Sequence, residues 1–543
     1  SSSSSGGGWS GGGFSGGGGF GGGGGGGLSA GGAGGFGGGG GYGEDNGGSG
    51  GFGGGGGGFG GFGGFGGGNS NTNTSSGGGG AGMGGGIFVM QGGHLIVAGS
   101  LTVSGSTVTA GSGGTASGNG SAFGAGMFLQ GTGTVTFNPG DNETQTIDDG
   151  IADQTGSGGT GSYALIKTGE GTLALGGVNT YSGATNVNGG LLRVDGSITS
   201  AVTVTSGGTL GGRGSTGAVT VQAGGTLAPG ASPGILSTGT IALAAGATFA
   251  VELAGTTPGI GGYDQVKVTG TVSLGGADLD GDVIGGFVPS VGNAFTVIDN
   301  DGVDAVAGTF AGLAEGAKFV LDQRAMTITY KGGTGNDVVL TATAAKVAGT
   351  NQKDIINGTE TVAGQALVTD GDDRVKGMGS KDKLSGLAGD DTLRGNKGND
   401  TLKGGDGDDH LKGGKGNDVL KGEAGADTLD GGSGKDELTG GADDDTFVFA
   451  NPKQPDTVTD WTEGDVIALV KSAFPGIGPK GDLDADAFHV GMRAMTANQK
   501  IVYDPDTGRL SFYKDGSHTL DPVDFVRIGK HLGDLDAGDF IVI

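Results

Sequence analysis

Cysteine is absent from the 543 residues, so neither a disulfide nor a thiolate metal site can hold this chain together in an oxidising exterior. Proline is scarce at 11 residues and aromatics supply only 6%, against 142 glycines. A single large globular interior needs more bulky side chains than that, whereas a thin core repeated many times does not. No stretch approaches the roughly 18 consecutive apolar residues of a transmembrane helix. The opening SSSSSGGGWS lacks the charged and apolar regions of a signal peptide and has no initial Met, so the N-terminus is expected to be processed or trimmed. Positive charge is short as well. Lys+Arg 29 against Asp+Glu 56 leaves a net charge of -27, which disfavours nucleic acid and anionic membranes and favours divalent cations as partners.

What is present falls into zones. Residues 1–86 are Gly-rich and low in complexity, which suits a flexible tether or a self-association segment. Phe59, Phe62 and Phe65 recur every third residue there and would line one edge of an extended three-residue helix. From Ile87 to about Ala345 the chain turns to short alternating runs such as HLIVAGSLTVSGSTVTA, GTLALGG, GLLRV and AVTVTSGGTLGG, broken by Gly or Asn. Period-two alternation without helical periodicity predicts β-strands and tight turns. The recurrence of GGTL at 207–210 and 224–227 predicts stacked coils of a parallel β-helix. The expected fold class is therefore all-β: a parallel β-helix, or β-solenoid, of about 20 to 25 residues per coil and about 4.8 Å rise.

Residues 169–196, GEGTLALGGVNTYSGATNVNGGLLRVDG, with LAPGASPGIL at 227–236 and YDQVKVTGTVSLGGADL at 263–279, resemble the autotransporter-associated β-strand repeats of bacterial passenger domains. The resemblance covers about 87–345 and implies a β-helical passenger outside the cell, at the surface of a Gram-negative bacterium and often in adhesion. No run of amphipathic membrane strands follows, so that family's translocator barrel is expected to be missing.

Residues 368–448 divide into nine consecutive nonamers with Asp at every sixth position: Asp373, Asp382, Asp391, Asp400, Asp409, Asp418, Asp427, Asp436 and Asp445. The eighth position is apolar throughout: Val375, Leu384, Leu393, Leu402, Leu411, Leu420, Leu429, Leu438 and Phe447. Acids fill about one position in ten of the chain, so such a run is a repeat and not an accident. The eighth side chain is expected to point into a narrow core, and the Gly-rich turn to let backbone carbonyls converge on a cation beside the Asp carboxylate. With two nonamers per coil the Asp residues form two columns, 373/391/409/427/445 and 382/400/418/436. Carboxylates about 4.8 Å apart would repel by roughly 3 to 4 kcal/mol per pair at an effective dielectric of 20. Several Ca²⁺ ions are the expected remedy, since zinc would want His or Cys. Lys376, Lys403, Lys412 and Lys421 offset charge but are each worth little.

These nonamers resemble the repeats-in-toxin (RTX) family, which implies a β-roll binding calcium between turns and assigns the nine Asp residues as its metal ligands. Ser380 and Asp443 replace the fourth-position Gly, and Leu387, Asn396 and Glu423 the second, so the terminal turns are expected to bind weakly or not at all. An isolated GGTGNDVVL at 332–340 makes Asp337 a further candidate ligand, the alternative being an ordinary turn Asp. The flank after the repeats resembles the C-terminal caps and signals of type I secreted proteins, with Phe447, Phe449, Trp461 and Leu469 covering the open end. The implied divisions are 1–86 tether, 87–345 β-helix, 346–448 calcium roll and 449–543 cap and secretion signal.

Catalysts are not evident. The five histidines, His94, His410, His489, His518 and His531, are dispersed, and neither an HExxH nor a GxSxG motif occurs. A pore-forming toxin would need an amphipathic or apolar insertion helix, and none is seen. The expectation is a secreted, non-enzymatic structural protein of the surface or matrix, with self-association into fibres or a layer and surface glycans as further partners. The alternative is a polysaccharide-acting enzyme on the β-helix, which convergence of Arg193 or Arg213 with Asp195 on one face would favour.

Overall fold

The computed structural model describes residues 80–114, 117–230, 232–514, 522–530, 532–533 and 535–543, with scattered positions between 40 and 69. It is all-β: among the described residues there is no α-helix, and only two short 3-10 turns, Ala485–Ala487 and Ala537–Asp539. The chain divides into two compact units. One comprises residues 1–285, 295–315 and 329–339, the other residues 286–294, 316–328 and 340–543.

In the first unit, coils stack with parallel pairing. One eight-stranded sheet runs from Leu95–Ala98 through Gly133–Asn138, Tyr163–Lys167, Thr185–Val187, Val202–Val204, Val219–Val221 and Ile241–Leu243 to Val272–Ser273. A second runs from Leu101–Val103 through Thr144–Ile147, Thr172–Leu175, Gly190–Val194, Gly208–Gly212, Thr226–Pro229 and Thr248–Leu253 to Asp278–Val283. Alternation places every second side chain inward, so Val187, Val204, Val221 and Leu243 form one buried column and Leu173, Leu192, Leu210, Leu227 and Phe249 another. Coil length varies more than the sequence suggests: Val219 lies 17 residues beyond its partner Val202, but Val272 lies 31 beyond Ile241. Extra residues leave as loops without disturbing the pairing. Phe65 stacks on Phe123, with ring centres 5.6 Å apart; Phe59 and Phe62 lie outside the described residues.

The second unit carries the nonamers as a two-sheet roll. Strands Arg374–Lys376, Thr392–Lys397, His410–Lys415, Thr428–Ser433 and Thr446–Phe449 form one parallel sheet. Lys383–Ala388, Thr401–Asp406, Val419–Ala424 and Glu437–Ala442 belong to the other. Successive nonamers alternate between sheets, so Leu393 pairs with Leu411 and Leu402 with Leu420. The eighth-position residues are all 3% exposed or less and form one core. The ladder continues past the repeats through Asp456–Val458 and Val466–Leu469, then passes into antiparallel pairing among Val523–Arg527, Arg509–Phe512 and Ile501–Asp504. Phe474 meets Phe512 and Phe525 edge-on at 5.1 Å and closes the core with Phe540. Phe447, Phe449 and Leu469 are buried as expected, and Trp461 packs partly exposed against Phe447, but the outermost cover comes from residues beyond 470.

Candidate calcium sites

Each nonamer turn brings its Asp inward beside the strand start, and all nine sixth-position carboxylates are 0–2% exposed. Their first oxygens are held by a repeated clamp across coils. The Asp373, Asp391, Asp409 and Asp427 N–H groups donate to Oδ1 of Asp391, Asp409, Asp427 and Asp445 at 2.7, 2.8, 2.8 and 2.9 Å. In the other column the Asp382, Asp400 and Asp418 N–H groups donate to Asp400, Asp418 and Asp436 at 2.8, 2.7 and 2.8 Å. The fifth-position residues reach the opposite way: Asp372, Asp390 and Asp408 accept from the N–H groups of Asp390, Asp408 and Ala426 at 3.1, 3.0 and 2.9 Å.

The second oxygens are different. Oδ2 of Asp382, Asp391, Asp400, Asp409, Asp418, Asp427 and Asp436 is buried with no hydrogen-bond partner. Such an atom is costly to leave bare. Its surroundings are oxygen-rich and tightly gauged. A Cβ built on Gly404 would lie 2.1 Å from Asp409 Oδ2 and 2.8 Å from the Gly422 carbonyl oxygen, and Gly386, Gly395, Gly413 and Gly422 repeat the arrangement. The first-position Gly therefore keeps space beside the carboxylate, a role apart from turning the chain. The second and fourth positions do the turning, with Gly405 at φ 138° and Gly407 at φ 122°. Leu387, Asn396 and Glu423 at the second position, and Ser380 and Asp443 at the fourth, adopt φ of 87°, 75°, 89°, 78° and 75°, so the departures from Gly keep the turn at the cost of strain.

Among the described residues no point gathers three His, Cys, Asp or Glu side chains. A cation here would be held by carboxylate oxygen and backbone carbonyls, the donors of a hard ion such as Ca²⁺. The residues present fit that ion: an unpartnered carboxylate oxygen, an adjacent carbonyl and a glycine whose missing Cβ leaves the carboxylate its place recur along both columns.

Burial pushes these acids above the ordinary carboxylate range, Asp391 to about 8, Asp418 and Asp427 to about 7, and Asp373, Asp382, Asp409 and Asp445 to about 6. Loss of hydration is the main cause in each; the clamping N–H pulls the other way, and at Asp391 the neighbours Asp409 and Asp373 push further up. Repulsion between neighbours, on which the sequence argument for an ion leaned, is secondary to desolvation.

The columns are longer than the nonamers. Asp436 N–H donates to Asp456 Oδ1 at 2.9 Å and Asp445 N–H to Asp465 Oδ1 at 3.0 Å, each across 20 residues instead of 18. At the other end Asp354 N–H donates to Asp382 Oδ1 at 2.9 Å. In the column of Asp373 the end carboxylates are satisfied from within the chain. Asp373 takes the Ala345 N–H on Oδ1 and the Thr369 N–H on Oδ2, the latter at 2.6 Å, while Asp465 Oδ2 takes the Thr462 N–H at 2.7 Å. Asp337 lies outside the columns, its Oδ1 accepting the Asn300 N–H at 2.9 Å. His410 and His94 are exposed, His489 is half-buried, and His518 and His531 lie outside the described residues.

On the first unit, Arg193 Nε sits 2.8 Å from Asp195 Oδ2 and Arg213 Nε 3.9 Å from Oδ1. Next to them a groove of about 480 Å³ runs over Gly211, Ala228 and Ala250 toward Glu252, Asp280 and Asp282.

Coils, clamps and columns define a calcium-type parallel β-roll, carried in one chain with a passenger-type β-helix. Comparison with known families bears this out. Residues 368–402, 385–420, 403–438 and 413–447 match the RTX calcium-binding nonapeptide repeat, and residues 165–194 match the passenger-associated transport repeat. Two curated relatives are similar over short stretches. The Serratia marcescens extracellular serine protease is 44% identical over 77 residues, 14% of this chain and 7% of that protein. The adhesin BmaC autotransporter of Brucella suis biovar 1 (strain 1330) is 42% identical over 76 residues, 13% of this chain and 2% of that protein. The chain thus covers only a small fraction of either relative.

Proposed function

We propose that this chain is a secreted, non-enzymatic calcium-binding structural protein of the bacterial surface or extracellular matrix, an adhesin, fibre or surface-layer component. The observation that carries the reading is the set of seven buried, unpartnered Asp Oδ2 atoms in two columns, each packed against a first-position glycine. In this reading the nine repeat Asp residues hold several Ca²⁺ ions, residues 87–345 are the scaffold, 346–448 the calcium roll, and 449–543 the cap and type I secretion signal. Sites built largely from carbonyls suit extracellular affinities of about 10⁻⁴ to 10⁻³ M, so the roll stays unfolded where calcium is scarce and folds outside the cell. The adhesin and passenger likenesses support the surface role, and surface glycans or further copies of the chain are the partners it would meet there.

Far-UV circular dichroism and light scattering of the chain, titrated from EGTA into about 10 mM calcium, test this. A calcium-dependent gain in β signal that Asp400→Ala with Asp418→Ala weakens is the expected result. Concurrent scattering assigns a polymer; a signal that stays flat removes the calcium reading.

A second reading, a polysaccharide-acting enzyme, draws on the Arg193–Asp195–Arg213 cluster beside the acidic groove. Both arginines face one carboxylate there, which suits a surface ion pair as well as a site. Release of reducing sugar from polysaccharides, abolished in Glu252→Gln or Asp282→Asn, would establish it.

A further inference from the structure

The charge balance of the roll is not spread evenly. One sheet exposes Lys346, Arg374, Lys376, Arg394, Lys397, Lys412 and Lys415, and the strand register stacks them in rows. Lys346 lies opposite Arg374, Lys376 opposite Arg394, Arg394 opposite Lys412, and Lys397 opposite Lys415. Neighbouring strands are about 4.8 Å apart, so Lys376, Arg394 and Lys412 make a file of like charges that repel one another. Among the described residues the ion pair made by this set is Lys412 with Asp430, at the end of the file. On the other sheet Lys403 lies opposite Lys421 and pairs with Glu423 at 2.9 Å. Two shallow grooves lie along the basic file. One of about 230 Å³ is bordered by Lys376 and Arg394, the other, about 320 Å³, by Arg394, Lys412 and Lys415.

We propose that this face of the roll binds an anionic polysaccharide, its acidic groups laid along the file Lys376, Arg394 and Lys412. A protein of net charge -27 that gathers cations on one exposed sheet, with Lys412 the one of the file that is ion-paired among the described residues, has built a surface complementary to a polyanion. The spacing of about 4.8 Å between the stacked cations favours a polymer of lower charge density than duplex DNA, which carries one charge per about 1.7 Å. The inference rests on the calcium-folded roll proposed above, because the file exists only when the strands are in register, and it names the chemistry of the glycan partner and its place. Carbohydrate hydroxyls would meet Asn396 and Ser433 in the second groove.

The test is binding of the full chain in calcium to immobilised dextran sulfate and hyaluronate, with neutral dextran as control and duplex DNA as competitor. Expected are retention by the charged polymers but not by dextran, weakening with salt, loss in EGTA, and a drop on the order of tenfold in Lys376→Gln/Arg394→Gln/Lys412→Gln. The calcium-induced β signal of that variant shows that it folds, and a single Arg394→Gln serves if it does not. Equal retention of the variant, or no preference over dextran, overturns the proposal. Preferential capture of DNA, or calcium-dependent scattering that the variant loses without added polymer, assigns the file to nucleic acid or to a second copy instead. If the wild-type chain gains no β signal in calcium, the underlying fold reading fails; if it gains the signal but ignores the polymers, only this inference does.

Discussion

The two units bury charged groups in opposite ways. In the β-helical unit the most deeply buried charged groups, Asp153, Lys167 and Asp264, find their partners within the chain. Asp153 accepts from the N–H groups of Gly156, Tyr163 and Ser182 and from the Ser182 hydroxyl, and Asp264 from the N–H groups of Gly234 and Glu252. Lys167, fully buried, donates to the carbonyls of Thr168, Gly169 and Gly189 at 2.8, 2.8 and 2.9 Å. The roll leaves one oxygen bare at seven of the nine repeat carboxylates. The β-helical unit leaves scattered carboxylate oxygens bare of hydrogen bonds, Asp195 Oδ1 and Asp304 Oδ2, whereas the roll leaves a periodic set of them that a cation would complete. A solenoid's coils depend on their neighbours, so the difference makes one half of the molecule conditional on its surroundings.

The largest test of that contrast is calcium removal followed by hydrogen exchange. In EGTA the amides of residues 383–442 should lose protection as a cooperative block, while those of residues 163–253 keep theirs. Simultaneous loss in both would abolish the contrast. Lys167→Ala should act on the other half alone, costing about 3 kcal/mol by leaving three carbonyls without a donor, read by chemical denaturation at any calcium level. Acidity should sharpen the difference next. In the folded roll Asp382, Asp391, Asp409, Asp418 and Asp427 titrate near 6 to 8 rather than near 4, so their contribution makes the metal-free roll most stable below about pH 4 and is lost as pH rises through 6 to 8. Calcium, which needs the ionised form, should bind more weakly as pH falls through the same window. Thermal melts at pH 5 and 8.5, with and without calcium, should therefore respond in opposite directions. The smallest effect is Leu387→Gly, which relieves a left-handed leucine 36% exposed to solvent and should stabilise the calcium-bound roll by about 1 kcal/mol.

Much of this was legible in the sequence because one period governs both the core and the site. The Leu at every eighth position and the Asp at every sixth are read by counting, and the two-column arrangement follows. Counting stops where the step changes. Asp456 and Asp465 continue the columns but sit 20 residues beyond their predecessors, and Asp354 sits 28 before its successor, so a nine-residue ruler passes over them. The Asp–x–apolar signature in DTV at 456–458 and DVI at 465–467 was the surviving signal. The first-position glycine could not be told from a turn glycine without knowing which atom it faces. Nor could the basic file be seen in the string, where Lys376, Arg394 and Lys412 are 18 residues apart and become neighbours only through register.

Because successive nonamers alternate between the two sheets, the roll has a parity. Removing a pair of nonamers shortens it by a layer and leaves every later residue on its own face. Removing one, such as 395–403, transfers all later turns to the opposite sheet, so that Lys412 would leave the sheet of Lys376 and Arg394. Length can therefore change by duplication or loss only in even steps without redrawing the surface, and a family of such rolls should differ by multiples of two nonamers while its outer faces keep their character.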